Sequence, residues 1–191
     1  MQRRLLLLDF FGVICSEIAP YWLGKHFSAD DAIKVKGDVV HLADAGAISQ
    51  DRMLEILGNM VRLPPEIILE EWNSLATIDQ EMVDLVSELS RTYRVALLTN
   101  SPSPFVRGVL AKFNLEAMFE KIIVSSEVKL AKPDPEIFRL SLDSLDVSAD
   151  ETLFVDDNPA NVATAQNLGI RAIRFTSATD FRADIASMIW S

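Results

Sequence analysis

A doubly wound parallel α/β sheet with a helical insert after its first strand is the fold this chain predicts, and three observations predict it. The apolar run Leu5-Leu6-Leu7-Leu8 is closed by Asp9 and followed by Phe10-Phe11-Gly12-Val13-Ile14. Two later runs end the same way, Val95-Ala96-Leu97-Leu98 on Thr99-Asn100 and Thr152-Leu153-Phe154-Val155 on Asp156-Asp157. From residue 79 onward such runs alternate with helical patterns, whereas residues 15–77 read as helices alone. Continuous short apolar runs suit strands buried on both faces of a parallel sheet. Polar residues at their carboxyl ends suit the sheet edge where open α/β folds bind ligands.

The first strand is Leu5–Leu8, since nothing polar interrupts it before Asp9. In the insert, Met53, Ile56, Leu57 and Met60 recur at helical spacing, as do Ile67, Ile68, Glu71 and Trp72. Gly46-Ala47-Ile48-Ser49 reads as a turn leading into a helix cap, and Pro64-Pro65 as a second helix start. Past the insert, Met82, Leu85, Val86 and Leu89 make a helical face ahead of the Val95–Leu98 strand. Ser103-Pro104, Asp134-Pro135 and Asn158-Pro159 each offer an N-cap followed by proline at the first helical position. Ile122-Ile123-Val124 and Arg171-Ala172-Ile173-Arg174 are further short strands, and Gly169 after Leu168 is a helix stop.

The chain has 191 residues, 49% hydrophobic and 24% charged, enough to bury a full core. A net charge of −10 and a pI near 4.6 argue against nucleic acid or an anionic membrane as partner. They leave room for a small phosphorylated molecule, because a bound cation and one lysine can reverse the field inside a pocket. Cys15 is the only cysteine, so no intrachain disulfide can form and a reducing compartment is expected. Met1-Gln2-Arg3-Arg4 before four leucines imitates a secretory signal, but Asp9 cuts the apolar stretch short. The expectation is a soluble cytoplasmic protein, monomer or homodimer.

Each candidate site residue also has a plainer reading. Asp9 alone would be a cap or turn residue; as a nucleophile it needs an electrophile beside it. Asp156-Asp157 is an acidic turn or a pair relieved by a cation, and Mg²⁺ favours one or two carboxylates plus substrate phosphate. Lys132, in Lys129-Leu130-Ala131-Lys132-Pro133-Asp134-Pro135, is a surface charge or the cation that neutralises a nucleophile and a phosphate together. Thr99-Asn100-Ser101 is a turn or a set of donors for phosphate oxygens. Lys129 is read as a solvated charge. His26 and His41 lack metal-ligand spacing and are read as ordinary residues of the insert, as are Trp22 and Trp72, though either tryptophan could reach the site.

Taken in order, the four sites resemble the haloacid dehalogenase-like (HAD) hydrolase superfamily. That family carries an Asp after the first strand, Ser or Thr after the second, a Lys in a K-P-D-P stretch and an acidic pair after the fourth. Here those are Asp9, Thr99, Lys132 and Asp156-Asp157. Ser125-Ser126-Glu127-Val128 and Phe154-Val155-Asp156-Asp157-Asn158-Pro159 are similar almost phrase by phrase, and Ala45-Gly46-Ala47-Ile48-Ser49 resembles the turn of the helical cap. The resemblance implies a Rossmann-like core at 1–14 and 78–191 with a cap at 15–77. It implies a Mg²⁺-dependent phosphatase acting on a small phosphorylated metabolite through an aspartyl-phosphate at Asp9. Asp9, the backbone carbonyl of Phe11, Asp156 and Asp157 would hold the metal. Thr99, Asn100 and Lys132 would bind the phosphate, Thr99 and Lys132 also serving catalysis.

One position departs from the pattern. Family phosphatases usually have a second Asp two residues after the nucleophile, and this chain has Phe11 there. A positioned acid/base contributes about 10²–10⁴-fold, and a phenyl ring cannot supply it. Three readings follow: a phosphatase limited to good leaving groups or served by a cap residue or water, a 2-haloacid dehalogenase-type hydrolase, or a binding protein impaired in catalysis. An aromatic here and Asn100 suit the dehalogenases, which however lack the acidic pair. A phosphoacceptor receiver domain shares Asp, Thr and Lys but carries its acidic pair early, the reverse of this order.

Overall fold

The computed structural model describes residues 4–187. Its sheet has five parallel strands, β1 (Leu5–Leu8), β2 (Arg94–Thr99), β3 (Lys121–Val124), β4 (Thr152–Asp156) and β5 (Arg171–Arg174), in the order β3-β2-β1-β4-β5. All four leucines of β1 are fully buried because that strand is central and covered on both faces. Leu6 and Leu8 join one apolar cluster, Leu5 and Leu7 the other, as the two-residue period of a strand requires. Leu8 pairs with Leu97 on one side and Val155 on the other. Asp9, Thr99 and Asp156 therefore finish at one edge. The chain moves outward from β1 in both directions, so that edge holds the point where strand order reverses, the usual ligand crevice of such sheets.

The insert after β1 holds five helices, α1 (Ala19–His26), α2 (Ala29–Val35), the single turn α3 (His41–Asp44), α4 (Gln50–Val61) and α5 (Pro65–Leu75). A π-helical turn, Lys36–Val40, links α2 to α3. Ser49 caps α4 through the Arg52 N–H, and α5 starts at Pro65. The insert is entered and left by adjacent segments: the Ser16 N–H donates to the Thr77 carbonyl and the Asp79 N–H to the Ile14 carbonyl. Its buried residues, Trp22, Leu57 and Trp72 among them, belong to the same apolar cluster as Leu6 and Leu8. That shared core fixes the insert over the sheet edge.

The remaining helices are α6 (Gln80–Leu89), α7 (Ser103–Lys112), the single turn α8 (Ser125–Val128), α9 (Pro135–Leu145), α10 (Pro159–Asn167) and α11 (Ala178–Ser187). Residues of α6, α7 and α11 cover one face of the sheet; those of α9 and α10 cover the other. Asp134 and Asn158 cap α9 and α10 as expected. Ser103 does not cap α7. Its helix begins one residue earlier, with Pro102 at the cap, because the Ser103 N–H and hydroxyl are taken by Ser126 Oγ and Glu127 of the neighbouring turn.

Candidate active site

Asp9 leaves β1 with its backbone N–H on the Val155 carbonyl at 2.9 Å and one carboxylate oxygen accepting from the Phe10 N–H at 2.7 Å. The loop that follows is tight. Cys15 and Ile14 N–H groups both return to the Phe10 carbonyl, and Gly12 sits at φ +84°. A Cβ at Gly12 would lie 2.6 Å from the Asp157 carboxyl carbon, so the backbone there passes as close to an acidic side chain as only glycine permits.

Lys132 is the centre of the buried part. Its ammonium lies 2.9 Å from Asp9 Oδ1, 2.7 Å from Asp156 Oδ2 and 2.8 Å from the Leu98 carbonyl, which matches its three protons with three acceptors. Burial works to lower its pKa, but Asp9 and Asp156 outweigh it and hold the lysine charged. Burial pushes Asp9 well above the usual carboxylate range, with Lys132 opposing and Asp156 adding to the rise. Asn100 keeps the lysine loop in place: its amide donates to the Lys132 carbonyl at 2.8 Å and accepts from the Lys132 N–H at 2.9 Å. The side chain expected to bind phosphate thus has both ends engaged, although Asn100 does border the cavity.

The acidic pair divides its work. Asp156 is fully buried and accepts from Lys132, from the Asn158 N–H at 2.8 Å and from Asn161 Nδ2 at 3.0 Å at each oxygen. Asp157 is half-buried and borders the cavity; burial raises its pKa and Asp156 raises it further. Oxygens of Asp9, Asp156 and Asp157 lie within 4.8 Å of one another. Three carboxylates against one ammonium leave an excess of negative charge, and every donor is a hard oxygen. Such a set fits Mg²⁺. Thr99 is fully buried and its hydroxyl has no hydrogen-bond partner, the kind of orphaned group a bound oxyanion would satisfy.

Above this cluster opens a cavity of about 290 Å³ bordered by both the sheet edge and the insert. Phe11 is half-buried on its wall, stacked on Phe105 at 5.8 Å; Trp72 meets Phe105 edge-on at 5.5 Å. So Trp72 reaches the site, while Trp22 is a core residue whose indole N–H bonds Glu71. His26 packs on Trp22 within the insert, but His41 borders the cavity, placed there by the π-helical turn, and is no ordinary residue of the insert. Lys129 is exposed yet not merely solvated, since its ammonium donates to the Gly46 carbonyl.

Sequence reasoning passed over Glu17, Lys36, Asp44 and Asn161. Glu17 lies on the loop entering α1 and Asp44 ends α3, both bordering the cavity. Burial raises Glu17, with Asp157 adding to the rise; burial raises Asp44 to about 7, with Lys36 opposing. Two signals were readable. Asp44 stands two residues before the turn glycine, and Asn161 lies one helical turn past Asn158 on α10.

Residues 4–169 match the haloacid dehalogenase-like hydrolase family. A D-ribitol-5-phosphate phosphatase of Bacteroides thetaiotaomicron is 27% identical over 156 residues, 76% of this chain and 75% of that protein. An (S)-2-haloacid dehalogenase of a Pseudomonas species is 27% identical over 107 residues, 56% of this chain but only 47% of the dehalogenase's length. Among solved structures, a HAD family enzyme of Bacteroides thetaiotaomicron in complex with magnesium and inorganic phosphate superposes with a TM-score of 0.77. It is 26% identical, covering 92% of this chain and 95% of that one.

Proposed function

Because the chain belongs to the haloacid dehalogenase-like hydrolases, we propose that it is a Mg²⁺-dependent phosphatase that hydrolyses small phosphate monoesters through a phosphorylated Asp9. The observation that carries this reading is the three-carboxylate cluster with a buried lysine at the floor of one cavity. The phosphatase among its relatives and the phosphate-bound neighbour support it. We read residues 15–77 as the cap, and 1–14 with 78–191 as the core.

In the first step a carboxylate oxygen of Asp9 bonds to phosphorus and the ester oxygen leaves with its electron pair. Water then attacks phosphorus, releasing inorganic phosphate and restoring the carboxylate. Lys132 aims Asp9 and opposes the rise in pKa that burial gives it; Asp156 in turn holds Lys132. The Thr99 hydroxyl and Lys132 receive phosphate oxygens. Asp9, Asp157, the Phe11 carbonyl and Asp156, directly or through water, are the oxygens that would hold Mg²⁺, which supplies charge neutralisation between carboxylate and phosphate. Phe11 can neither protonate the leaving oxygen nor take a proton from water. The first step therefore depends on the substrate's own leaving group or on a cap residue as acid, and the second on a cap residue or solvent water to take the proton.

Asp9→Asn should remove turnover of p-nitrophenyl phosphate by a factor of about 10³ or more with the circular dichroism spectrum unchanged. Retained activity in that variant would exclude the mechanism. A second reading, 2-haloacid hydrolysis, is favoured by one observation, the aromatic Phe11 in the acid/base position. Halide release from 2-haloacids in the presence of EDTA would establish it at the expense of the first.

A further inference from the structure

The cavity has two unlike walls, and their chemistry bears on what the phosphate is attached to. On the core side lie Phe11 and Phe105, stacked, with Trp72 of α5 closing the apolar face. Trp72 is buried and its indole N–H has no acceptor. On the cap side lie the carboxyls of Glu17 and Asp44, with the Lys36 ammonium acting on both. Asp44 is not free to swing away. Its carbonyl accepts from the Ser125 hydroxyl of the core, and two residues on, the Gly46 carbonyl accepts from Lys129. Resting on the phosphatase reading, we propose that this outer wall selects a phosphate monoester with an uncharged, hydroxyl-bearing body, and rejects one whose body carries a second anion.

The electrostatics favour this choice. The cap wall brings two carboxyls to the cavity against one lysine, so a substrate carboxylate entering there meets more acidic groups than basic ones. Glu17, and Asp44 in its ionised fraction, repel such an anion, and like charges at a few ångströms in a partly desolvated site cost about a factor of ten in affinity. Hydroxyl groups suit every partner present. They donate to Glu17 and Asp44 where these are ionised and accept from them where they are protonated, which neither a carboxylate nor an ammonium can do in both directions. The aromatic wall offers the C–H face of a short polyol an apolar surface. A volume of about 290 Å³ sits at the small end of ligand sites, which limits that body to a few carbons. Desolvation raises the Asp44 carboxyl to about 7, so near neutral pH it can donate as well as accept.

Glycerol 3-phosphate and 3-phosphoglycerate differ by CH₂OH against COO⁻ and isolate the effect. Both are alkyl esters that this site hydrolyses slowly, so their affinities for the Mg²⁺-loaded protein can be read by calorimetry. Glycerol 3-phosphate should bind about tenfold or more tightly. In the Glu17→Gln, Asp44→Asn double variant the gap should shrink to within about threefold, through gain of 3-phosphoglycerate affinity, with each single variant intermediate. A melting curve would show that the variants are folded. Equal affinities, a preference for 3-phosphoglycerate, no measurable binding of either ester, or a gap unchanged by both substitutions would overturn the proposal. Hydrolysis of p-nitrophenyl phosphate, which lacks both groups, is followed in parallel. Its absence would sink the phosphatase reading while the affinity ratio still reports on the wall.

Discussion

Asp156 and Asp157 are neighbours in sequence, yet the structure gives them opposite duties. Asp156, fully buried, balances Lys132 and is held by Asn158 and Asn161; Asp157 faces the cavity with far fewer partners. Asp156→Ala should therefore cost about 3–5 kcal/mol, because it strands a buried ammonium with one counter-charge fewer. For a chain of this length that is a fall in melting temperature of about 10 °C. Asp157→Ala should cost about 1 kcal/mol or less in the metal-free protein and abolish the stabilisation by added Mg²⁺. Similar melting losses from both would contradict the division. Phe11 carries a second prediction. If its ring deletes the acid/base, kcat/KM, which reports the first step alone, should fall steeply from aryl and acyl phosphates to alkyl phosphates, and Phe11→Asp should raise the alkyl values selectively by about tenfold or more. A flat dependence of kcat/KM on leaving group in the natural chain would mean that another residue delivers the proton.

Strands, caps and turns were largely legible in the sequence, because each follows from local chemistry. Four leucines closed by Asp9 can hardly be other than a buried strand, and Asn158-Pro159 opens a helix by satisfying an orphan N–H. Ser103 misled because its hydroxyl serves Glu127, a residue 24 positions away. The floor of the site was readable as well, in the order Asp9, Thr99, Lys132 and Asp156-Asp157. Its outer wall was not. Glu17, Lys36, Asp44 and His41 reach the cavity only through the path of the insert and the π-helical turn at Lys36–Val40, a long-range outcome that leaves no local pattern. The pH response of this element tests the wall. The Asp44 carboxyl has a folded pKa of about 7 against an ordinary value of 3.8, raised by burial and by Glu17 and opposed by Lys36, with His41 also on that wall. Between those values the folded chain binds more protons than the unfolded one, so this group's contribution to stability falls as pH rises and levels off above about 7. Asp44→Asn should remove that slope. It should melt like the natural chain near pH 4 and be more stable at pH 8 by about 1–2 kcal/mol, solvent access to the half-buried side chain trimming the effect. Parallel melting curves across pH would contradict this.

At the scale of the whole molecule, a parallel sheet brings three strand ends to one edge and an inserted group of helices roofs them. The insert shares its core with one sheet face, which keeps its wall in register with Asp9. No helix among the described residues is long and apolar enough to cross a membrane. The central claim is that Asp9 carries the phosphoryl group between the two steps, and with Phe11 beside it the second step lacks a base. The phosphorylated form should then accumulate. Incubating the Mg²⁺-loaded protein briefly with p-nitrophenyl phosphate, quenching in acid, reducing with borohydride and analysing peptides by mass spectrometry reads this directly. The account predicts conversion of residue 9 to homoserine, dependent on both Mg²⁺ and substrate and absent in Asp9→Asn. Phosphate release with residue 9 unmodified, or a phosphoryl group on any other side chain, would contradict it.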